Sequence, residues 1–356
     1  MPADPPEQRP SDASEAADAA ADVVIYYKSD GYTMSGARLM GRQSAGASFL
    51  AGYARHARSR DLVCMAPDRA SAEEFGETTR RAAANGPRPL RSARWIPFDT
   101  PERLAETGCL FYPSPTVADQ AWLRRAHDQR AWSLCGITHT TASDTVMEAI
   151  GGFAIAPLQS WDAVICTSKA VHDTLTNVLG EWGDYLRTRL GGNGPSAARL
   201  QLPVIPLGID ARAFTPDPDA RAAFRREHDI ARTAQFTAVD IDAATAAYAR
   251  LIADADLRRR MGDAGRARAR SVYDWSAIIP AYEALWDELA ARRRADPEIA
   301  PSRQGARTTR CAMIPTGCSQ AIRPIPCATT RRLRAARPTA LWRRSPATPS
   351  TVPVRA

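Results

Sequence analysis

Three short stretches of this chain hold residue types that could handle a phosphorylated ligand. The first, KSDGYTMSGARLMGRQSAGASFL from Lys28, carries Gly31, Gly36, Gly41 and Gly46 and opens directly onto a helical pattern. Glycines let a backbone approach a ligand closely, and a helix N-terminus presents unpaired N–H groups to an anion. A phosphate or diphosphate is the natural guest; a surface loop with incidental glycines is an equal alternative. The pattern is not GxGxxG, and the usual acidic ribose-binding residue after the second strand is not evident, which disfavours a nicotinamide enzyme. The second stretch is WSLCGITHT, which ends near His139. A polar group at that strand end could position a hydroxyl acceptor or hydrogen-bond a departing group, although a lone strand-end histidine is more often structural. The third, CTSKAV, sets Thr167, Ser168 and Lys169 between a strand and a helix. Lys169 could face a phosphate, but an N-cap role for Ser168 and a solvated helix end for Lys169 are the ordinary readings.

The elements that must position these residues alternate along the chain. VVIYY (23–27), DLVCMAP (61–67), ARWIPF (93–98), GCLFYP (108–113), WSLCGITHT (132–140) and DAVICTS (162–168) read as strands, and QLPVIPLG (201–208) closes the series. Helical patterns fall at 43–58, 71–84, near 101–107, 116–130, 144–151 and 168–189. Parallel strands need crossover connections, so this alternation predicts an α/β domain with a parallel sheet over 23–208. Ligands of such sheets bind beyond the carboxyl ends of the strands, where all three stretches would lie. The segment 242–292 is helical, with Trp275, Ile278, Ile279, Tyr282, Leu285, Trp286 and Leu289 at three- and four-residue spacing, a packing face. Pro280 is expected to kink that helix or to mark a start within it.

Composition narrows the partners. The formal charge is +8, yet residues 301–356 carry eleven Arg and no Asp, Glu, Lys or His. That leaves 36 basic against 39 acidic residues in 1–300, a net of −3, so no folded basic surface for nucleic acid is expected. Residues 1–22 and 293–356 lack the composition of a packed domain and read as disordered. The second of these resembles either a basic tail or an out-of-frame reading of GC-rich DNA. Cys64, Cys109, Cys135 and Cys166 sit in apolar strands and read as buried free thiols, and no metal site is expected. No secretory signal or spanning run is evident, so a cytoplasmic location is expected, with peripheral membrane contact left open.

Taken in order, the GARLMGRQSAG loop, His139, the DAVICTS–helix pair and VIPLGIDARAF (204–214) resemble glycosyltransferases of family 4. These are retaining, nucleotide-sugar-dependent enzymes with the two-domain GT-B fold. LIADADLRRRMGDAGRARARSVYDWSAIIPAYEALW is similar to the family's terminal helices. The resemblance implies that 23–208 is the Rossmann-like, acceptor-side half of a GT-B fold, followed by a remnant helical segment and the tail. It implies a nucleotide sugar and a glycan or other hydroxyl acceptor as partners, with no metal or other cofactor. Gly36, Gly41, Arg42, Ser168 and Lys169 would face the donor diphosphate, and His139, the catalytic candidate, would lie near the transferred sugar. VIPLGIDARAF corresponds to the interdomain hinge, so 209–241 would be hinge and truncated junction. The family's donor half carries two Glu eight residues apart, whereas this chain has no Glu at all from 231 to 282. The resemblance therefore predicts a glycosyltransferase by descent that lacks its donor site and is inactive. The alternative is a non-catalytic α/β domain that binds an acceptor or a partner.

Overall fold

The computed structural model describes residues 23–34, 41–59, 61–84, 86–87, 92–141, 143–192, 199–214 and 241–301, all within one compact unit. The expected disorder of 1–22, most of the expected tail and the junction from 215 to 240 lie outside the described residues.

Six strands form one parallel sheet: β1 (Val24–Tyr26), β2 (Leu62–Ala66), β3 (Ala93–Pro97), β4 (Cys109–Tyr112), β5 (Ser133–Ile137) and β6 (Ala163–Ile165). Their spatial order is β3-β2-β1-β4-β5-β6, the doubly wound Rossmann-like arrangement. Helices α1 (Gly41–His56) and α2 (Arg69–Ala83) connect the first three strands. A 3-10 turn, Pro101–Glu106, lies between β3 and β4; α3 (Ala118–Arg125), α4 (Asp144–Gly151) and α5 (Lys169–Arg189) complete the second half. Strand alternation splits the apolar residues into two cores. Ile25, Cys64, Phe111, Cys135 and Ile165 face one side; Val24, Val63, Leu110, Leu134 and Val164 face the other. The four cysteines are buried thiols, as their strand positions predict.

QLPVIPLG, expected as a seventh strand, forms only two isolated parallel bridges, Ala163 with Gln201 and Cys166 with Val204. The Val164 and Cys166 N–H groups donate to the carbonyls of Gln201 and Pro203, and Ile205 donates back to Cys166. Pro203 and Pro206 have no N–H to extend the ladder, which is why it stays broken. The helix expected over 116–130 is confined to Ala118–Arg125. Beyond it, the Asp128 side chain accepts from the Arg130 N–H, turning the chain toward β5.

The last helices are α6 (Ile241–Ala253), α7 (Ala255–Arg268) and α8 (Trp275–Ala295), with one π-helical turn, Ala269–Tyr273, before α8. Helix α8 begins at Trp275, capped by Asp274, and runs through Pro280 rather than starting there. It packs beside α1 on the face that carries Phe111, Cys135 and Ile165. Trp286 and Tyr282 meet Phe111 with ring centroids 6.2 and 5.9 Å apart, and Phe49 of α1 completes the aromatic cluster. Right-handed crossovers put α1 and α2 over the β1–β3 half of this face and send α3 to α5 to the opposite face. Helix α8 therefore fills the half-face that the crossovers leave bare.

Both ends of α8 are fastened. At its start, Gly52 of α1 and Gly208 flank the Trp275 indole; a Cβ on either would come within 2.4 Å of it. Ile209 exchanges backbone hydrogen bonds with Tyr273 and Trp275, the Ala211 N–H donates to Asp274, and Arg55 pairs with Asp210 at 2.6 Å. Buried Glu283 accepts from the Arg58 backbone and guanidinium. Residues 293–295 close α8 and 296–300 continue in hydrogen-bonded positions, a correction to the disordered tail expected from 293. Arg130 donates to the carbonyls of Arg293 and Asp296, Ser160 to the Asp296 carboxylate, and Gln159 bonds Ile299 in both directions. Composition could not reveal this, because the partners come from the β4–β6 half of the sheet.

Under the same half lies a fully buried ion pair. Arg124 meets Asp162 through two parallel hydrogen bonds of 2.6 and 2.7 Å and also donates to the Trp132 carbonyl. Asp162 accepts the N–H groups of Leu134 and Gln159 as well, so the charges are hydrogen-bonded in place. In contrast, α6 and α7 present Tyr248, Ile252 and Met261 at 68, 77 and 56 % exposure.

If α8 is a structural member of the sheet domain, Trp286→Ala should lower stability in urea unfolding by about 3–5 kcal/mol. Tyr248→Ala on exposed α6 should change it by no more than about 0.5 kcal/mol. Equal losses from the two would contradict this division.

Candidate functional site

In a doubly wound sheet the chain leaves in opposite directions from the two central strands, and a crevice opens above their carboxyl ends. Here those strands are β1 and β4. The described residues at those strand ends are 27–34 after β1, the start of α1, Pro113 and Ser114 after β4, and His139 after β5.

His139 is half-buried, and its Nε2 lies 3.0 Å from the Pro113 carbonyl oxygen. A carbonyl can only accept, so Nε2 carries the proton and, in the neutral ring, Nδ1 is left as an acceptor. No other partner of the ring is found among the described residues. Burial pushes the ring's pKa below its ordinary 6.5; the Pro113 hydrogen bond opposes this, and the charge of Arg42 adds to the lowering. The neutral ring is thus the resting form at pH 7. It can receive a hydroxyl proton or hydrogen bond at Nδ1. Thr138, just before it, is buried and donates to the Ile165 carbonyl while accepting from the Thr167 N–H, tying the β5 and β6 ends together.

Arg42 is the second residue of α1 and exposed, and its charge is felt at His139. Gly41 opens the helix, and among the described residues nothing lies within 4 Å of where a Cβ would stand. Gly46 is different. A Cβ there would lie 2.2 Å from the Gly31 carbonyl oxygen, so the pair lets α1 press against the turn after β1. Gly36 lies outside the described residues.

Ser168 and Lys169 are engaged elsewhere. The Ser168 Oγ accepts from the Val171 N–H as the N-cap of α5, and Lys169 pairs with Asp173 one helical turn on, at 3.3 Å. Of the candidates, the structure brings together Arg42, the start of α1 and His139, and holds Ser168 and Lys169 in helix-end roles.

Lys28, one of only two lysines, is not among the candidates that sequence singles out. Its Nζ stands 5.8 and 5.9 Å from the ring centroids of Tyr26 and Phe98, which stack at 4.8 Å; Tyr112 meets Tyr26 edge-on at 4.7 Å. These aromatics end β1, follow β3 and end β4, so only strand order assembles them. Their shared position at strand ends is the signal that could have found them.

Among the described residues no group of three or more His, Cys, Asp or Glu is arranged to hold a metal ion, and no helix is long and apolar enough to cross a membrane. No protein-family model, no curated protein and no solved structure matches this chain.

His139 is expected to titrate below 6.5 in an NMR pH titration, and Arg42→Ala should raise its midpoint. The folded chain binds this proton less readily than the unfolded chain. The ring's contribution to stability is therefore complete above pH 6.5 and is lost as pH falls through that value to the folded midpoint. A midpoint above 6.5 would contradict the burial described.

Proposed function

We propose that this chain is a retaining, nucleotide-sugar-dependent glycosyltransferase of family 4 by descent, that it keeps the acceptor-side half, and that it lacks the donor site and does not turn over. The observation that supports the first part most strongly is the neutral, Nδ1-accepting His139 beside Arg42 and the α1 N-terminus, at the crevice between β1 and β4. A hydroxyl acceptor and an anionic leaving group are the two guests that such a pairing suits.

The second part is supported by the elements beyond the hinge. Residues 208–211 are fixed to the start of α8, and every described element from 241 onward is helical. The described residues after the hinge thus offer no second parallel sheet from which cations and N–H donors could meet a diphosphate across the cleft. Loss of one donor from a preorganised site costs about 2.7–4 kcal/mol of transition-state stabilisation, or about 10²–10³ in rate. Loss of a whole donor half removes useful turnover.

The remaining domain then acts as a binding module for a glycan or other hydroxyl acceptor. This second reading is favoured by the partly buried aromatic group Tyr26, Phe98 and Tyr112 beside Lys28 at the strand ends, since aromatic rings are the side chains on which a sugar stacks.

The test is release of nucleoside diphosphate from UDP-glucose and GDP-mannose by the purified chain, with and without simple glycosides. No release above the blank is expected. Turnover like that of an intact glycosyltransferase would overturn the proposed loss of the donor site.

A further inference from the structure

A groove of about 510 Å³ lies between α4 and α5 and shares no residue with the crevice described above. Met147, Val178 and Trp182 form its apolar part; Asp144, Glu148 and Glu181 supply three carboxylates. The Trp182 indole is fitted to the helix pair, because a Cβ on Gly151 would stand 2.3 Å from its Nε1. Even so, Trp182 remains 39 % exposed, and Tyr185, edge-on to it at 6.1 Å, is 54 % exposed. Asp173, Asp184 and Glu288 are each neutralised by a cation on their own helix, whereas none of the three groove carboxylates has an ion-pair partner among the described residues.

We propose that this groove docks a basic amphipathic helix of a partner protein. The trough between two helices takes apolar side chains from one face of a third, read at three- and four-residue spacing. Unpaired carboxylates beside exposed aromatic rings select arginine above other residues, since a guanidinium stacks on an indole or phenol and pairs with a carboxylate at the same time. Charge sets the choice of occupant: the same carboxylates repel an acidic peptide or an anionic lipid surface.

The probe is a fluorescent peptide of about 18 residues, five helical turns, with leucine on one helical face and arginine on the other, titrated against the full chain by anisotropy. Saturable binding is expected, weakened about tenfold or more by Trp182→Ala, as for an aromatic anchor at an interface. The double variant Glu148→Lys, Glu181→Lys changes only surface charge and should also weaken binding about tenfold. Raising the salt concentration should weaken binding to the wild-type chain. Unchanged affinity in both variants would overturn the proposal. So would equal binding of the peptide with glutamate in place of arginine, or wild-type binding to phosphatidylserine vesicles that Trp182→Ala abolishes. Concentration-dependent dimerisation of the wild-type chain, lost in Trp182→Ala, would assign the groove to a second copy and equally overturn it.

Discussion

A right-handed crossover can cover only one side of the sheet half it winds, and the rest of this structure depends on that restriction. Strands β1 to β3 carry α1 and α2 on one face; β4 to β6 carry α3 to α5 on the other. Phe111, Cys135 and Ile165 would face water unless some other element lay on them. The element that does so comes from the far end of the chain. Helix α8 supplies Ile278, Tyr282, Trp286 and Leu289 to that bare half-face, and its aromatic rings interlock with Phe49 of α1 and Phe111 of β4. Full burial of side chains of this size contributes about 1.5–3 kcal/mol each, which explains why α8 is bound as core rather than as appendage.

That role changes the meaning of the segment LPVIPLGID. The family resemblance implies an interdomain hinge there, yet its last residues are committed to holding the start of α8. Gly208 makes room for the Trp275 indole, Ile209 pairs with the backbone on both sides of Asp274, and Asp210 is held well below the usual carboxylate range, first by the Arg212 side chain and then by Arg55. A segment fixed on one side to the sheet and on the other to a core helix is an anchor. Among the described residues, α6 and α7 leave Tyr248, Ile252 and Met261 exposed.

The crevice above β1 and β4 is organised by separate, local forces. Gly46 against Gly31 seats α1, so its N-terminus reaches the carboxyl edge. The Pro113 carbonyl fixes the His139 tautomer, and burial with the nearby Arg42 charge keeps the ring neutral. Position at the sheet edge and protonation state are thus set by different neighbours.

The sequence by itself determined the six sheet strands and the α/β class, because β-branched runs and helical periodicity are local properties written residue by residue. It also marked the packing stripe of α8 and placed His139 at a strand end. What the stripe packs against was decided only in three dimensions, since the half-face it covers is created by strand order. The same holds for 293–300, whose polar residues look like a solvated tail until Arg130, Gln159 and Ser160 arrive beneath them. Ser168 and Lys169 had the right types for an anion, but helix geometry brought them an N–H and a carboxylate of their own. Residue type states what a side chain could bind; only the fold decides which partner reaches it first.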